Sequence, residues 1–271
     1  MALPAPSPDA TVLVTGASSG IGAQIARRLA DLGHGVTLVA RRADRLQQLA
    51  GQVHRATGVT ATVVACDLAD DAERTALIAR LEGSGVHVCG VVNNAGFGTY
   101  GRFDGLPLER EQAMVRLNVL ALHELTGAFL WPMVQRGAGA VLNVASVAAF
   151  QPLPGFATYA ATKAFVQSFS ESLHAELAGT GVSVTTLSPG PVATEFGHVA
   201  GVGKIEDMVP AGRAVSAEDV AAAAVRGMLH GRRSVVPGVA TKGMALGGRL
   251  VPRSLLLPAA KRAAGARLRN P

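Results

Sequence analysis

Thr11-Val12-Leu13-Val14-Thr15-Gly16-Ala17-Ser18-Ser19-Gly20-Ile21-Gly22 is the stretch that decides the fold. Thr11 to Thr15 is a short aliphatic and β-branched run, the composition of a strand buried on both faces. Glycines and small residues follow at once, in the spacing G-x-x-x-G-x-G. Ala23 to Leu32 then places apolar residues at helical intervals and stops at Gly33. Strand, glycine-rich turn and helix in direct succession are the context in which glycines signal nucleotide binding; alone, they describe a tight turn. Small residues let the backbone approach a pyrophosphate, and a helix N-terminus offers free N–H donors and the positive end of a dipole. The candidates on this turn are Gly16, Ser18, Ser19, Gly20, Ile21 and Gly22.

Gly35 to Ala40 reads as the next strand. Where an acidic residue would hold the ribose hydroxyls of NAD, the chain carries Arg41 and Arg42. Guanidinium forks pair with a 2′-phosphate that a carboxylate would repel, which points to NADP(H), with Ser18 adding a hydroxyl. The alternative is that both arginines are solvated charges opening the helix that starts at Ala43. Val59 to Ala65 is a third strand, ending at Cys66-Asp67-Leu68. Asp67 either accepts from an adenine amino group or caps the helix holding Ala72 to Leu81. Val88 to Val92 is a fourth strand; Asn93-Asn94-Ala95-Gly96 at its end combines amides that cross-link loops with residues small enough for close approach.

The second half carries the chemistry. Ala140 to Ala145 is a buried strand, and Ser146 stands at its C-terminal end, where open α/β sheets bind ligands. Tyr159 and Lys163 are four apart, one turn of a helix on one face. A phenol has a pKa of about 10 and is a weak acid–base group near neutrality; an ammonium one turn away favours the phenolate. Ser146 to hold a carbonyl oxygen, Tyr159 to move its proton and Lys163 to tune the tyrosine make a ketone/alcohol site. A lone Tyr-x-x-x-Lys pair is common on ordinary helices, so the reading rests on the rest of the chain. Leu106 to Val134 reads as one long helix closed near Trp131-Pro132, with Asn118 inside it. That amide either kinks the helix and holds a water near Lys163 or is satisfied by a neighbouring carbonyl. Val182 to Leu187 is a further strand, ending in the stiff turn Ser188-Pro189-Gly190-Pro191-Val192-Ala193-Thr194. Residues 195–215 have weak periodicity and five glycines or prolines, as a binding loop would. Ser216 opens the next helix with a capping-box pattern, and Ser234 to Val236 is a last strand.

Composition bounds what else the chain can be. Its 271 residues are enough for one well-buried α/β domain. Residues after Asp219 hold ten Lys/Arg and no acid, leaving fifteen bases against nineteen acids before them. The net charge of +6 is therefore a property of the C-terminal region. No stacking aromatics are interleaved with those bases, so nucleic acid is not the expected partner. Cys66 and Cys89 lie at apolar strands without metal-ligand spacing, which suggests no metal and a reducing, cytoplasmic setting. No uninterrupted apolar run reaches the ~18 residues of a membrane span.

With these residues in order, the chain resembles the short-chain dehydrogenase/reductase family from about Val12 to Val236. The match runs through the Thr15–Gly22 turn, Asp67, Asn93-Asn94-Ala95-Gly96, then Asn118, Ser146, Tyr159 and Lys163 as a catalytic tetrad, and Pro189, Gly190, Val192 and Thr194 beside the nicotinamide. The resemblance implies an α/β, Rossmann-type, doubly wound parallel sheet of seven strands ordered 3-2-1-4-5-6-7, with helices on both faces. It implies that NADPH delivers hydride to a carbonyl carbon, that Lys163 also binds the nicotinamide ribose, that Asn118 holds a proton-relaying water, and that the chain forms a homo-dimer or homo-tetramer. A nucleotide-binding regulatory protein on the same fold, without turnover, is the alternative; an epimerase is disfavoured by the short C-terminal part. Phe97, Tyr100, Phe103, Phe150, Leu153, Phe156, Phe196 and Met208 suggest a mostly apolar substrate. Asn94 to Gly98, with Gly101 and Phe103, resembles the branch with long-chain 3-ketoacyl and hydroxysteroid reductases. The expected organisation is a flexible arm over 1–10, the domain over 11–240 with its substrate loop at 193–215, and a basic, apolar tail over 241–271. Leu250, Leu255, Leu256 and Leu257 suit a protein contact first, an anionic membrane surface second and a frayed end third.

Overall fold

The computed structural model describes residues 3–202 and 215–265. Met208, much of the expected substrate loop, and Arg267 and Arg269 lie outside the described residues. In chain order the elements are β1 (Ala10–Thr15), α1 (Gly20–Asp31), β2 (Gly35–Ala40), α2 (Ala43–Thr57), β3 (Ala61–Ala65), α3 (Asp71–Glu82), β4 (His87–Asn93), α4 (Leu108–Val115), a π-helical turn (Arg116–Ala121), α5 (Leu122–Arg136), β5 (Gly139–Val144), a 3₁₀ turn (Val147–Phe150), α6 (Ala157–Glu176), β6 (Val182–Leu187), α7 (Phe196–Ala200), α8 (Ala217–Leu229), β7 (Ser234–Val235), α9 (Val239–Leu250) and α10 (Arg253–Gly265).

Among the described residues, seven strands form one parallel sheet in the order 3-2-1-4-5-6-7. Its central strands are buried on both faces, which is why they read as continuous aliphatic runs. Val12 and Val14 face a core shared with α1, α2 and α8, whereas Leu13 and Val91 face one shared with α3 and α5. Each such side chain, taken fully from water, contributes about 1.5–3 kcal/mol. Strand order reverses between β1 and β4, and the cleft at their C-terminal ends is where this topology places ligands.

Local chemistry sets the boundaries. Ser216 caps α8: its Oγ accepts from Asp219 N at 3.0 Å and donates to the Asp219 carboxylate at 2.8 Å. Asp70, not Asp67, caps α3, accepting from Glu73 N at 2.9 Å. The long helix expected over 106–134 is divided by the π-helical turn around Asn118. It also runs through Pro132 to Arg136 instead of closing there. The backbone partner this proline forgoes is tolerable beside Trp131, which is exposed. The whole run Leu108–Arg136 is long and apolar enough to cross a membrane by length and composition; Met114, Leu125, Phe129 and Met133 nevertheless lie buried in the protein.

Both ends of the chain differ from expectation. Leu3 is 2% exposed and packs into the first core beside Gly90, which anchors the arm at that residue, while Ala5, Pro6, Pro8 and Asp9 are exposed. At the other end, the expected boundary at 240 falls inside α9. Thr241 is buried against Gly190, Gly248 lies against Phe150, and the Arg253 guanidinium donates to the Phe150 carbonyl. Pro252 separates α9 from α10, while Pro258 sits within α10. The segment read as a tail is thus two helices: α9 packs against protein through Thr241, Ala245 and Gly248, whereas Leu250, Leu255 and Leu257, the leucines expected to find a partner, are exposed.

Candidate active site

Thr15 organises the nucleotide end. Its hydroxyl donates to Val92 O at 3.1 Å and accepts from the backbone N–H groups of Asn94 and Ala95 at 2.9 and 3.0 Å. The Asn94 amide donates to the carbonyls of Thr15 and Gly16. These bonds tie the end of β4 beneath the glycine turn. Gly16 has φ +63°, and a Cβ there would lie 2.7 Å from Asn94 Nδ2. At Gly22 a Cβ would meet the same amide nitrogen. These two glycines are therefore required by the turn's own packing before any ligand is considered.

Ser19 begins α1 but spends no side-chain hydrogen bond on capping it. Instead Ser18 and Ser19 accept from Arg42: Nη2 reaches Ser18 Oγ at 2.9 Å and Ser19 Oγ at 3.0 Å, and Nε reaches Ser18 at 3.2 Å. Arg41 points elsewhere, 76% exposed and 3.8 Å from Asp67. The paired arginines are thus split, Arg42 at the glycine turn and Arg41 beside the adenine-side candidate. Arg45, one turn along from Arg42, also faces this site through Glu195. Sequence reading missed it, although the i,i+3 spacing places it on Arg42's face of α2.

The chemical end lies on β5, the turn after it and α6. Ser146 Oγ accepts from Ala148 N at 3.1 Å, which fixes the serine at the start of the 3₁₀ turn. Tyr159 stands one turn before Lys163 on α6, with its ring between those of Phe156 and Phe196, at centroid distances of 6.0 and 5.2 Å. Burial pushes its pKa up to about 12, against a hydrogen bond with Ser146 that acts in the opposite sense. Lys163 is 5% exposed; its Nζ donates to Val144 O at 2.8 Å and lies 5.8 Å from the Tyr159 ring centroid. Burial brings its pKa down to about 8. For Tyr159 burial is the larger effect and the Ser146 hydrogen bond the one that opposes it.

The Asn118 amide is satisfied by neighbouring protein groups, the second of the two placements expected for it. Its Oδ1 accepts from Phe97 N at 3.1 Å, and its Nδ2 donates to Phe97 O at 2.9 Å and Thr162 Oγ1 at 3.1 Å. The π-helical turn aims this amide at the Gly96-Phe97 backbone, so Asn118 clamps the loop that carries the cofactor candidates Ala95 and Gly96. Gly98 beyond it is enforced by the tyrosine: a Cβ there would lie 3.2 Å from Tyr159 Cδ2 and 2.9 Å from Phe196 Cζ.

One cavity of about 1090 Å³ connects the two ends. Ser146, Tyr159, Lys163 and the cofactor candidates other than Gly22 line it, whereas Gly22 and Asn118 do not. Of the aromatic and apolar candidates, Phe97, Tyr100, Leu153, Phe156 and Phe196 line it. Phe103 is exposed away from it, and Phe150 is buried beneath Arg249. Glu195, Arg110 and the α10 residue Ala260 complete the wall without having been anticipated, beside Leu256, one of the leucines expected to pack against protein. Cys66 also reaches the wall, but burial pushes its thiol up to about 11, which leaves it unreactive.

A parallel sheet with a glycine turn at its switch point, and a Ser–Tyr–Lys group in the same cleft, defines the class: a nucleotide-dependent oxidoreductase. The chain belongs to the short chain dehydrogenase family, whose sequence profile matches residues 10–203. It is 38% identical over 187 residues to sulfoacetaldehyde reductase 2 of Chromohalobacter salexigens, covering 68% of this chain and 73% of that protein. Among solved structures it is similar to a short-chain dehydrogenase from Sphingobium yanoikuyae in complex with NADPH, at 32% identity and a TM-score of 0.79, over 96% of both chains. It is likewise similar to the bulky-bulky ketone specific alcohol dehydrogenase of Comamonas testosteroni, at 29% identity and a TM-score of 0.74, over 96% of this chain and 95% of that one.

Proposed function

We propose that the protein is an NADP(H)-dependent oxidoreductase that interconverts a bulky, mostly apolar ketone and its secondary alcohol. The observation that carries this reading is the single cavity onto which both the Arg42–Ser18–Ser19 cluster and the Ser146–Tyr159–Lys163 group open. The cluster suits a 2′-phosphate by its chemistry: a guanidinium and two hydroxyls converge, with no carboxylate of the Asp/Glu type on the end of β2. The glycine turn and the N-terminus of α1 would take the pyrophosphate. Asp67 and Leu68 would border the adenine. Asn94 to Gly96 and the Pro189–Thr194 turn would border the nicotinamide end. When bound, the nicotinamide supplies or accepts the hydride.

The chain's own part is proton handling and orientation. Ser146 donates to the substrate oxygen. Tyr159 gives that oxygen its proton in reduction and removes it in oxidation, help worth about 10²–10⁴-fold. Lys163 supplies the positive field behind the phenol, and Asn118 acts as a positioning residue through Phe97. Phe156 and Phe196 keep water from the tyrosine. An apolar substrate is supported by Phe97, Tyr100, Phe156, Leu256 and Ala260 in the wall of the same cavity. We assign the protein a reducing, cytoplasmic setting, supported by buried free Cys66 and Cys89, and a homo-oligomeric state, supported by exposed Leu120, Trp131 and Phe165.

The test is NADPH oxidation by the purified protein against ketones graded by size, beside Tyr159→Phe. The variant is expected to bind nucleotide as the parent does and to lose most turnover. Undiminished turnover by Tyr159→Phe would refute the acid, and equal affinity for NADPH and NADH would refute the cofactor assignment.

A further inference from the structure

Glu195 reaches the nucleotide end from the far side of the cleft. Its Oε2 accepts from Arg42 Nη1 at 2.8 Å and its Oε1 from Arg45 Nη1 at 2.5 Å. The Ser19 hydroxyl sits beside this pair, on Arg42 Nη2. Arg42 and Glu195 are 153 residues apart in sequence, so this is not a pairing along one helix. Nor does it act as a core strut: the arginine and glutamate side chains are 39% and 43% exposed, a setting in which ion pairs add little to folding. Its donors are instead those that suit a phosphate: two guanidinium groups gathered on one internal anion, with the Ser18 and Ser19 hydroxyls beside them on Arg42. The two arginines hold the carboxylate down at about pKa 2, so it is charged across the working pH range.

We propose that Glu195 is a specificity-determining residue for the cofactor: its carboxylate occupies the Arg42–Arg45 anion site, and the 2′-phosphate of the incoming nucleotide must displace it. This rests on the NADP(H) reading above. A phosphate brings nearly two negative charges and three acceptor oxygens, enough to win both guanidinium groups from a single carboxylate. A ribose 2′-hydroxyl brings no charge, so a nucleotide lacking the phosphate leaves Glu195 in place and gains nothing from either arginine. Arg45 becomes the second phosphate ligand once freed. Glu195 also directly precedes α7, whose Phe196 ring packs on Tyr159. Displacement is therefore passed to the loop that covers the catalytic tyrosine.

The probes are adenosine 2′,5′-bisphosphate and 5′-AMP, titrated calorimetrically into the full-length parent, Glu195→Gln and Glu195→Ala, with melting curves to verify folding. Neither probe carries nicotinamide, so the readout is independent of turnover. Removing the internal anion is expected to tighten the bisphosphate about three- to tenfold, the scale of one or two part-exposed ion pairs, and to leave 5′-AMP unchanged. If the parent prefers the bisphosphate but neither folded variant gains affinity for it, this inference fails alone. Weaker bisphosphate binding in both variants also overturns it, since Glu195 would then be orienting the arginines. If the parent binds the two probes equally, the NADP(H) reading fails and takes this inference with it.

Discussion

Replacing Lys163 by methionine should stabilise the protein near neutral pH while inactivating it. The ammonium is 5% exposed and has one hydrogen bond, to Val144 O, and no ion pair among the described residues. Its pKa is about 8 in the folded chain against 10.5 ordinarily. The sign follows from proton counting. Below about pH 8 both states hold the proton, and the folded state bears the full cost of a buried charge. Between about 8 and 10.5 the folded state releases it while the unfolded state keeps it, so stability rises with pH. For these two values the rise from pH 7 to 9.5 is about 2 kcal/mol. Tyr159 works in the opposite direction, since a phenol raised to about 12 loses stability for the fold only above its ordinary pKa of 10.0. Staying below pH 9.5 keeps it out of the window. Cys66 and Cys89, both raised to about 11, titrate alike in parent and variant and cancel in the difference. Urea unfolding of parent and Lys163→Met at pH 7, 8, 9 and 9.5 measures that difference. The variant is expected to exceed the parent at pH 7, less about 1 kcal/mol for the lost hydrogen bond, with the gap closing as pH rises. Parallel curves across the window would refute the claim that burial depresses this lysine.

Two further outcomes are expected. Gly98→Ala forces Tyr159 or Phe196 to move by the overlap at 3.2 and 2.9 Å, so turnover should fall at least tenfold with melting temperature lowered by only a few degrees; unchanged kcat would show that the tyrosine position is not set by this contact. Truncation after Leu250 removes α10 and its wall residues Leu256 and Ala260. KM should rise severalfold for bulky apolar ketones and hardly for small ones, and a uniform loss across sizes would refute α10 as a substrate wall.

The strands, the glycine turn and the Tyr159–Lys163 face could be read from the chain because each is decided by neighbours within one or two turns. Alternation of apolar runs with turn residues, and the Ser216 capping box, are signals of the same local kind. The π-helical turn around Asn118 was legible only as an oddity: asparagine mid-helix is visible, but its engagement with Phe97 depends on where β4 delivers that backbone. The tail shows the same limit. Its aliphatic residues announce a partner, yet Thr241 against Gly190 and Gly248 against Phe150 are fits between surfaces that composition does not encode. Sequence determined the strands, the glycine turn and the residues at the strand ends through residue types at fixed short spacings. Tertiary structure alone decided that Arg41 and Arg42 part company, that Arg45 joins the site, and that Glu195 fills it, because charges from segments so far apart meet only through packing.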